Sequence, residues 1–213
     1  ENNAKSGGAI YSSGGSMSVT KSLFVGNTVT NNGAALYVDS TTNTISDSIL
    51  LRNKGSSTSM VTIYSYRSNG ITANNNWWGN TVSDKSSKPS VTNGALTRWF
   101  FLDIDVNKQF LFTNGTSNVT FSLNRYYDSS TTNVVKANFK YPDIVKLNIT
   151  SRDDMLGLNN ITLDENKEYP TQSVYIPEIG VYNITATYMG VTARNAVYYV
   201  PPDSFTALNH TIA

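Results

Sequence analysis

Apolar residues in the first third of the chain come in short clusters separated by Gly, Ser, Thr and Asn, and the clusters recur. Ala9-Ile10-Tyr11 returns as Ala35-Leu36-Tyr37, and Leu23-Phe24-Val25 returns as Ile49-Leu50-Leu51, each 26 residues later. Val19 and Ile45 keep that offset, as do Asn27 and Asn53. A looser third copy begins at Val61-Thr62-Ile63-Tyr64 and closes on Asn74-Asn75-Asn76-Trp77-Trp78-Gly79-Asn80. A period of this length signals stacked supersecondary units. The clusters are too short for a helical stripe and rich in β-branched and aromatic residues, which predicts strands. The Leu-x-x-Leu-x-Leu ladder of a leucine-rich repeat is missing. The pattern therefore predicts a short right-handed parallel β-helix of about three rungs, with equivalent strands stacked at about 4.8 Å.

In that fold Ile10 lies under Leu36 and Ile63, and Leu23 under Ile49, as inward apolar columns. Asn27 and Asn53 have the spacing of an internal amide ladder. Tyr11, Tyr37 and Tyr64 share one rung position. Pointing outward they form a binding stripe, and pointing inward they are core. Trp77, Trp78 and Gly79 break the repeat and are expected to cap the last rung.

Residues 81–95 read as a polar connection, so the repeats and their cap occupy residues 1–95. From residue 96 the pattern becomes period-2 alternation, as in Asn118–Leu123, Val145–Ile149, Ser173–Ile176, Val181–Tyr188 and Arg194–Val200. Turn signals at Asn114-Gly115, Tyr141-Pro142-Asp143, Asn159-Asn160, Ile179-Gly180 and Met189-Gly190 separate these runs. Short alternating strands at this density predict an Ig-like antiparallel β-sandwich over residues 96–200. Its last two strands make a hairpin across Met189-Gly190, and Tyr182 sits where a tyrosine corner belongs. Residues 201–213 leave through Pro201-Pro202 as a linker or the start of a further module.

The net charge is +1 with 15% charged residues, so no basic surface for nucleic acid is expected. No apolar run is long enough to insert this fragment in a membrane. Residue 1 falls just before a repeat unit, so the chain is expected to be an excerpt of a longer one. Cysteine is absent, so no disulfide supports either half. Asn114, Asn118, Asn148, Asn160, Asn183 and Asn209 each open an Asn-x-Ser/Thr sequon, and none precedes residue 114. They are candidate glycosylation sites that would coat the second half and leave the repeats bare.

Catalytic chemistry is weakly represented. Polysaccharide-active β-helices need converging carboxylates on one outer face. Residues 7–80 offer only Asp39 and Asp47. Asp153, Asp154, Asp164, Glu165 and Glu168 are the one acidic group with the oxygen ligands that Ca²⁺ requires. No calcium-loop spacing accompanies them, and no cofactor is expected.

The Gly-Gly-Ala-Ile of Gly7–Ile10 and the following Leu-Phe-Val-Gly-Asn resemble the repeats of polymorphic-outer-membrane-protein-type autotransporter passengers. Asn-Asn-Trp-Trp-Gly-Asn after such repeats, followed by an Ig-like region, resembles the adhesin-like surface proteins of methanogenic archaea. That resemblance implies an extracellular, envelope-attached adhesin or structural protein, and it supplies no catalytic residues. The expected function is thus a non-enzymatic cell-surface adhesin or stalk module that contacts glycans or proteins of a host or neighbouring cell. The alternative is a self-assembling subunit of a surface filament or sheath, associating through the β-helix ends and the C-terminal tail. A polysaccharide-active enzyme ranks third.

Overall fold

The computed structural model describes residues 1–57, 61–137, 139, 143–150, 155–163 and 171–201, with 143–150 and 155–163 described as backbone only. All regular structure among them is β. The acidic group at 153–168, the tail after residue 201 and Asn209 lie outside the described residues.

A β-solenoid of about four turns opens the chain. After β1 (Asn3–Ala4), the first turn contains β2 (Ile10–Ser12), β3 (Met17–Thr20), β4 (Leu23–Val25) and β5 (Thr28–Val29). The second repeats this with β6 (Leu36–Val38), β7 (Asn43–Ser46), β8 (Ile49–Leu51) and β9 (Lys54–Gly55). The third has β10 (Ile63–Ser65), β11 (Ile71–Thr72) and β12 (Asn76–Thr81), and the fourth β13 (Val91–Thr92), β14 (Gly94–Ala95) and β15 (Arg98–Val106). Equivalent strands stack in parallel: β2-β6-β10-β13, β3-β7-β11-β14, β1-β5-β9 and β4-β8-β12-β15. Ile10 pairs with Leu36 and Leu36 with Ile63, the register that the repeat predicts.

Left-handed residues turn each corner. Lys21, Asp47 and Asn75 have φ of 47°, 49° and 60° at equivalent corners, and Gly7 and Gly33 have φ of 63° and 74° at another. The left-handed region is open to glycine without steric cost and is visited by single Asn and Asp residues, which suits these positions to sharp turns. The solenoid interior is apolar and continuous, built from Phe24, Leu36, Val38, Ile45, Leu50, Ile63, Ile71, Leu96 and Trp99.

Three expectations are corrected here. The solenoid has a fourth turn, made partly from the stretch expected to be a polar connection, and Leu96 and Trp99 belong to its core. Leu23 and Ile49 do stack, but Phe24 and Leu50 are the members of the interior cluster. Leu23 is 46% exposed, whereas Ile49 is fully buried, so the expected inward column fails at Leu23 and not at Ile49. Trp77, Trp78 and Gly79 do not cover an open end: they lie in β12, which has β8 on one side and β15 on the other.

The chain then runs through β16 (Phe110–Leu111), β17 (Gly115–Asp128), β18 (Asn133–Lys136), β19 (Asp143–Thr150), β20 (Met155–Leu163), β21 (Thr171–Ile176), β22 (Gly180–Tyr188) and β23 (Val191–Tyr199). Two compact units interleave along the sequence. One comprises residues Glu1–Asn80, Asp84–Phe101 and Leu123–Tyr141, and the other Thr81–Ser83, Leu102–Ser122 and Pro142–Ala213. Within the second, β17 pairs antiparallel with β21 from Gly115↔Ile176 to Thr120↔Thr171. A five-stranded sheet has the order β16-β23-β22-β19-β20. The expected hairpin is present, with Tyr188↔Val191 closing across Met189-Gly190. The Tyr182 hydroxyl donates to the Glu178 carbonyl at 2.9 Å and accepts from the Glu178 N–H.

Candidate functional site

The outward face of the β2-β6-β10 sheet carries the tyrosine column. Leu36, Val38 and Ile63 are buried in the solenoid core, so the alternating positions Tyr11, Tyr37 and Tyr64 face away from it. The register places Tyr11 on Tyr37 and Tyr37 on Tyr64. Their rings stack at centroid distances of 4.8 Å and 5.3 Å, inclined by 8° and 22°. Parallel strand spacing of about 4.8 Å matches ring stacking, so the backbone ladder dictates this arrangement.

Stacking has a chemical consequence. Both faces of Tyr37 are occupied by neighbouring rings, and the free face of Tyr64 adjoins the Thr92 position. The column therefore presents ring edges and a row of phenol hydroxyls, while an uncovered ring face is left at Tyr11, which is 57% exposed. Tyr66, also 57% exposed, offers a second aromatic surface next to the column. The Arg67 guanidinium carbon lies 5.4 Å from the Tyr66 ring centre, and Arg67 Nε donates to Asp39 Oδ1 at 3.0 Å. Burial raises the pKa of Tyr37, with further contributions from Tyr11, Tyr64, Asp39 and Tyr66. Tyr37 is thus held as a neutral hydroxyl, able both to donate and to accept.

Two polar ladders run along corners of the solenoid, on either side of the β4-β8 stack. Asn27 Nδ2 donates to Asn53 Oδ1 at 2.7 Å, the Asn27 backbone N–H donates to the same oxygen, and Asn2 donates to Asn27 Oδ1. Asn53 Nδ2 ends the series on the Phe24 carbonyl at 2.7 Å. The second ladder was not visible in the sequence. The Ser22 N–H donates to Ser48 Oγ, the Ser48 N–H to Asn76 Oδ1, and Asn76 Nδ2 to the Ile45 and Ala73 carbonyls. The two ladders each follow a left-handed corner, at Gly26 and Arg52 for one and Lys21, Asp47 and Asn75 for the other.

Trp77 is buried and its indole N–H donates to the Asn80 carbonyl at 3.0 Å. Trp78 packs against the core cluster and lines a cleft of about 260 Å³ with Leu50, Arg52, Asn53, Lys88 and Ser90. The Trp78 indole N–H has no hydrogen-bond partner among the described residues.

The sequons do not share one environment. Asn114 is exposed and its Nδ2 donates to the Tyr175 hydroxyl at 3.2 Å. Asn118 is half-buried and accepts from the Ser173 hydroxyl at 2.7 Å. Asn183 is exposed on β22, and Asn148 and Asn160 lie on β19 and β20. Among the described residues no group of three or more His, Cys, Asp and Glu converges as a metal site would require. No described helix is long and apolar enough to cross a membrane. Comparison of the chain with family profiles, with curated proteins and with solved structures finds no match.

Proposed function

We propose that this chain is a non-enzymatic module of an extracellular surface protein, in which the β-solenoid serves as a stiff stalk and its tyrosine face makes the contacts. The observation that carries this reading is the outward Tyr11–Tyr37–Tyr64 stack, flanked by Tyr66, Arg67 and Asp39, on a continuously hydrogen-bonded parallel ladder. A ladder of this kind resists bending because every turn pairs its backbone with the next. The preferred ligand is a hydroxyl-rich glycan chain of a host or neighbouring cell, bonded along the phenol row and stacked on the open faces of Tyr11 and Tyr66. In the second unit, the antiparallel strands, the β22–β23 hairpin and the bond from Tyr182 back to Glu178 favour an Ig-like sandwich. A modular adhesin-like protein of the cell envelope combines these parts.

The test is binding of the whole chain to a glycan array and to intact cells. Binding is expected, and Tyr11→Ala together with Tyr66→Ala should weaken it at least about tenfold, the loss of about 1.4 kcal/mol. No binding to any glycan or cell surface, or undiminished binding by the doubly substituted chain, overturns the reading.

A further inference from the structure

Three of the stacked sheets of the solenoid run on to its fourth turn, but β1-β5-β9 stops at Lys54–Gly55. The N–H groups of Lys54 and Ser56 bond back to the Asn27 and Val29 carbonyls of the turn before. No described strand pairs with the other edge of β9. Beside that edge lies an open cleft of about 660 Å³, lined by Asn53, Lys54, Gly55, Thr62 and Ser90 among others. It shares Asn53, Thr62 and Ser90 with the cleft of about 260 Å³ at Trp78, so the two form one groove.

Both walls of the groove are fixed. On one side Asn53 is buried and held in its amide ladder, and Trp78 packs against the core. On the other, Asn80 Nδ2 donates to the Asp84 and Ser87 carbonyls at 3.1 Å and 3.0 Å. The Trp99 indole N–H donates to the Lys85 carbonyl at 2.7 Å, and the Ile63 N–H to that of Ser90 at 3.2 Å. The segment that carries Lys88 is therefore tied down before and after it. Groups held in place this way lose little freedom when a ligand arrives.

The groove has one sign of charge. Its charged lining residues, Arg52, Lys54 and Lys88, are all cationic, and no Asp or Glu is among the described residues that line it. Lys54 and Lys88 are exposed and have no ion-pair partner among the described residues. Much of the remaining lining is hydroxyl: Ser90 is exposed, and Thr62 Oγ1 donates to the Asn53 carbonyl at 3.3 Å, which leaves that oxygen as an acceptor. The Trp78 indole supplies an apolar wall. Cations, hydroxyls and one indole suit an acid-bearing sugar chain. An acidic peptide would have to add a strand to an edge only two residues long, which is too short for a ladder.

We propose that this groove binds a segment of an anionic polysaccharide, with its carboxylate or sulfate groups on Lys54 and Lys88 and its hydroxyls on Thr62 and Ser90. The inference rests on the glycan-binding reading above and adds to it a second site, of defined charge, that shares no residue with the tyrosine face. Because the contact is ionic, its affinity falls as salt rises.

The test titrates the whole chain by calorimetry with oligogalacturonate and a dextran sulfate oligomer, with methyl-esterified oligogalacturonate and plain dextran as their neutral counterparts, and with poly-glutamate. At least one anionic sugar should bind, more weakly as salt is added, and its neutral counterpart should not. Which of the two binds tells carboxylate from sulfate. Lys54→Gln combined with Lys88→Gln should weaken binding at least about tenfold. Lys5→Gln with Lys108→Gln, an equal loss of charge on exposed residues outside the groove, should leave it within about twofold. All four are surface side chains, so both variants should melt where the unsubstituted chain does. No binding of either anionic sugar, equal binding of the neutral ones, equal losses in the two lysine pairs, or tighter binding of poly-glutamate overturns the proposal. Binding lost through Tyr11→Ala with Tyr66→Ala but kept through loss of Lys54 and Lys88 sinks this inference alone. The reverse result sinks only the tyrosine face.

Discussion

Asn27 is the residue on which the interior ladder turns. Its side chain accepts from Asn2 and donates to Asn53, and it is buried. Asn27→Ala removes both roles and strands polar groups in a site closed to water, so the solenoid should lose about 2–4 kcal/mol in a urea titration. Asn27 and Asn53 were legible as a pair because they share the 26-residue offset. Ser48 and Asn76 were not, because they differ in kind and lie 28 residues apart. Tyr37 makes a prediction of opposite character. Its folded pKa is raised above the ordinary 10.0, first by burial and then by neighbouring phenols and Asp39. The unfolded chain therefore releases this proton first. The contribution to stability is intact below about pH 10 and drains away as pH climbs through the folded value. Urea midpoints should fall above pH 10, and Tyr37→Phe should lessen that fall.

At the level of strands and corners, the repeat announced which residues stack but not which way they face. Leu23 stacks on Ile49 and Phe24 on Leu50, so both columns satisfy the same period. A choice of parity between them exchanges inside for outside. The fourth turn escaped notice because its offsets are irregular: Ile63 pairs with Val91 and Ile71 with Gly94, 28 and 23 residues on. Its first two strands are also only two residues long. The corners offer a sharper test. Gly33 has φ of 74°, and a Cβ there would run into the carbonyl of Leu36. Gly14 has nothing within 4 Å of the same atom. Gly33→Ala should cost about 2 kcal/mol or more, and Gly14→Ala less than about 0.5 kcal/mol, in thermal or urea unfolding.

Across the whole chain, alternation was legible where strands are short and punctuated. The Met189-Gly190 hairpin formed where two alternating runs meet a glycine turn. The interleaving of the two units was hidden, because β17 runs 14 residues from Gly115 to Asp128 with only its Asn118–Leu123 segment alternating plainly in sequence. Its first residues pair with β21 and its last with β18, so one strand serves both units. The three tryptophans of the chain, Trp77, Trp78 and Trp99, all fall within one of those units. Indole emission therefore originates in the unit that holds the solenoid, and none of the three indoles lies in the other unit. Excitation at the red edge follows the surroundings of these indoles as the chain melts, and no label has to be introduced to watch it.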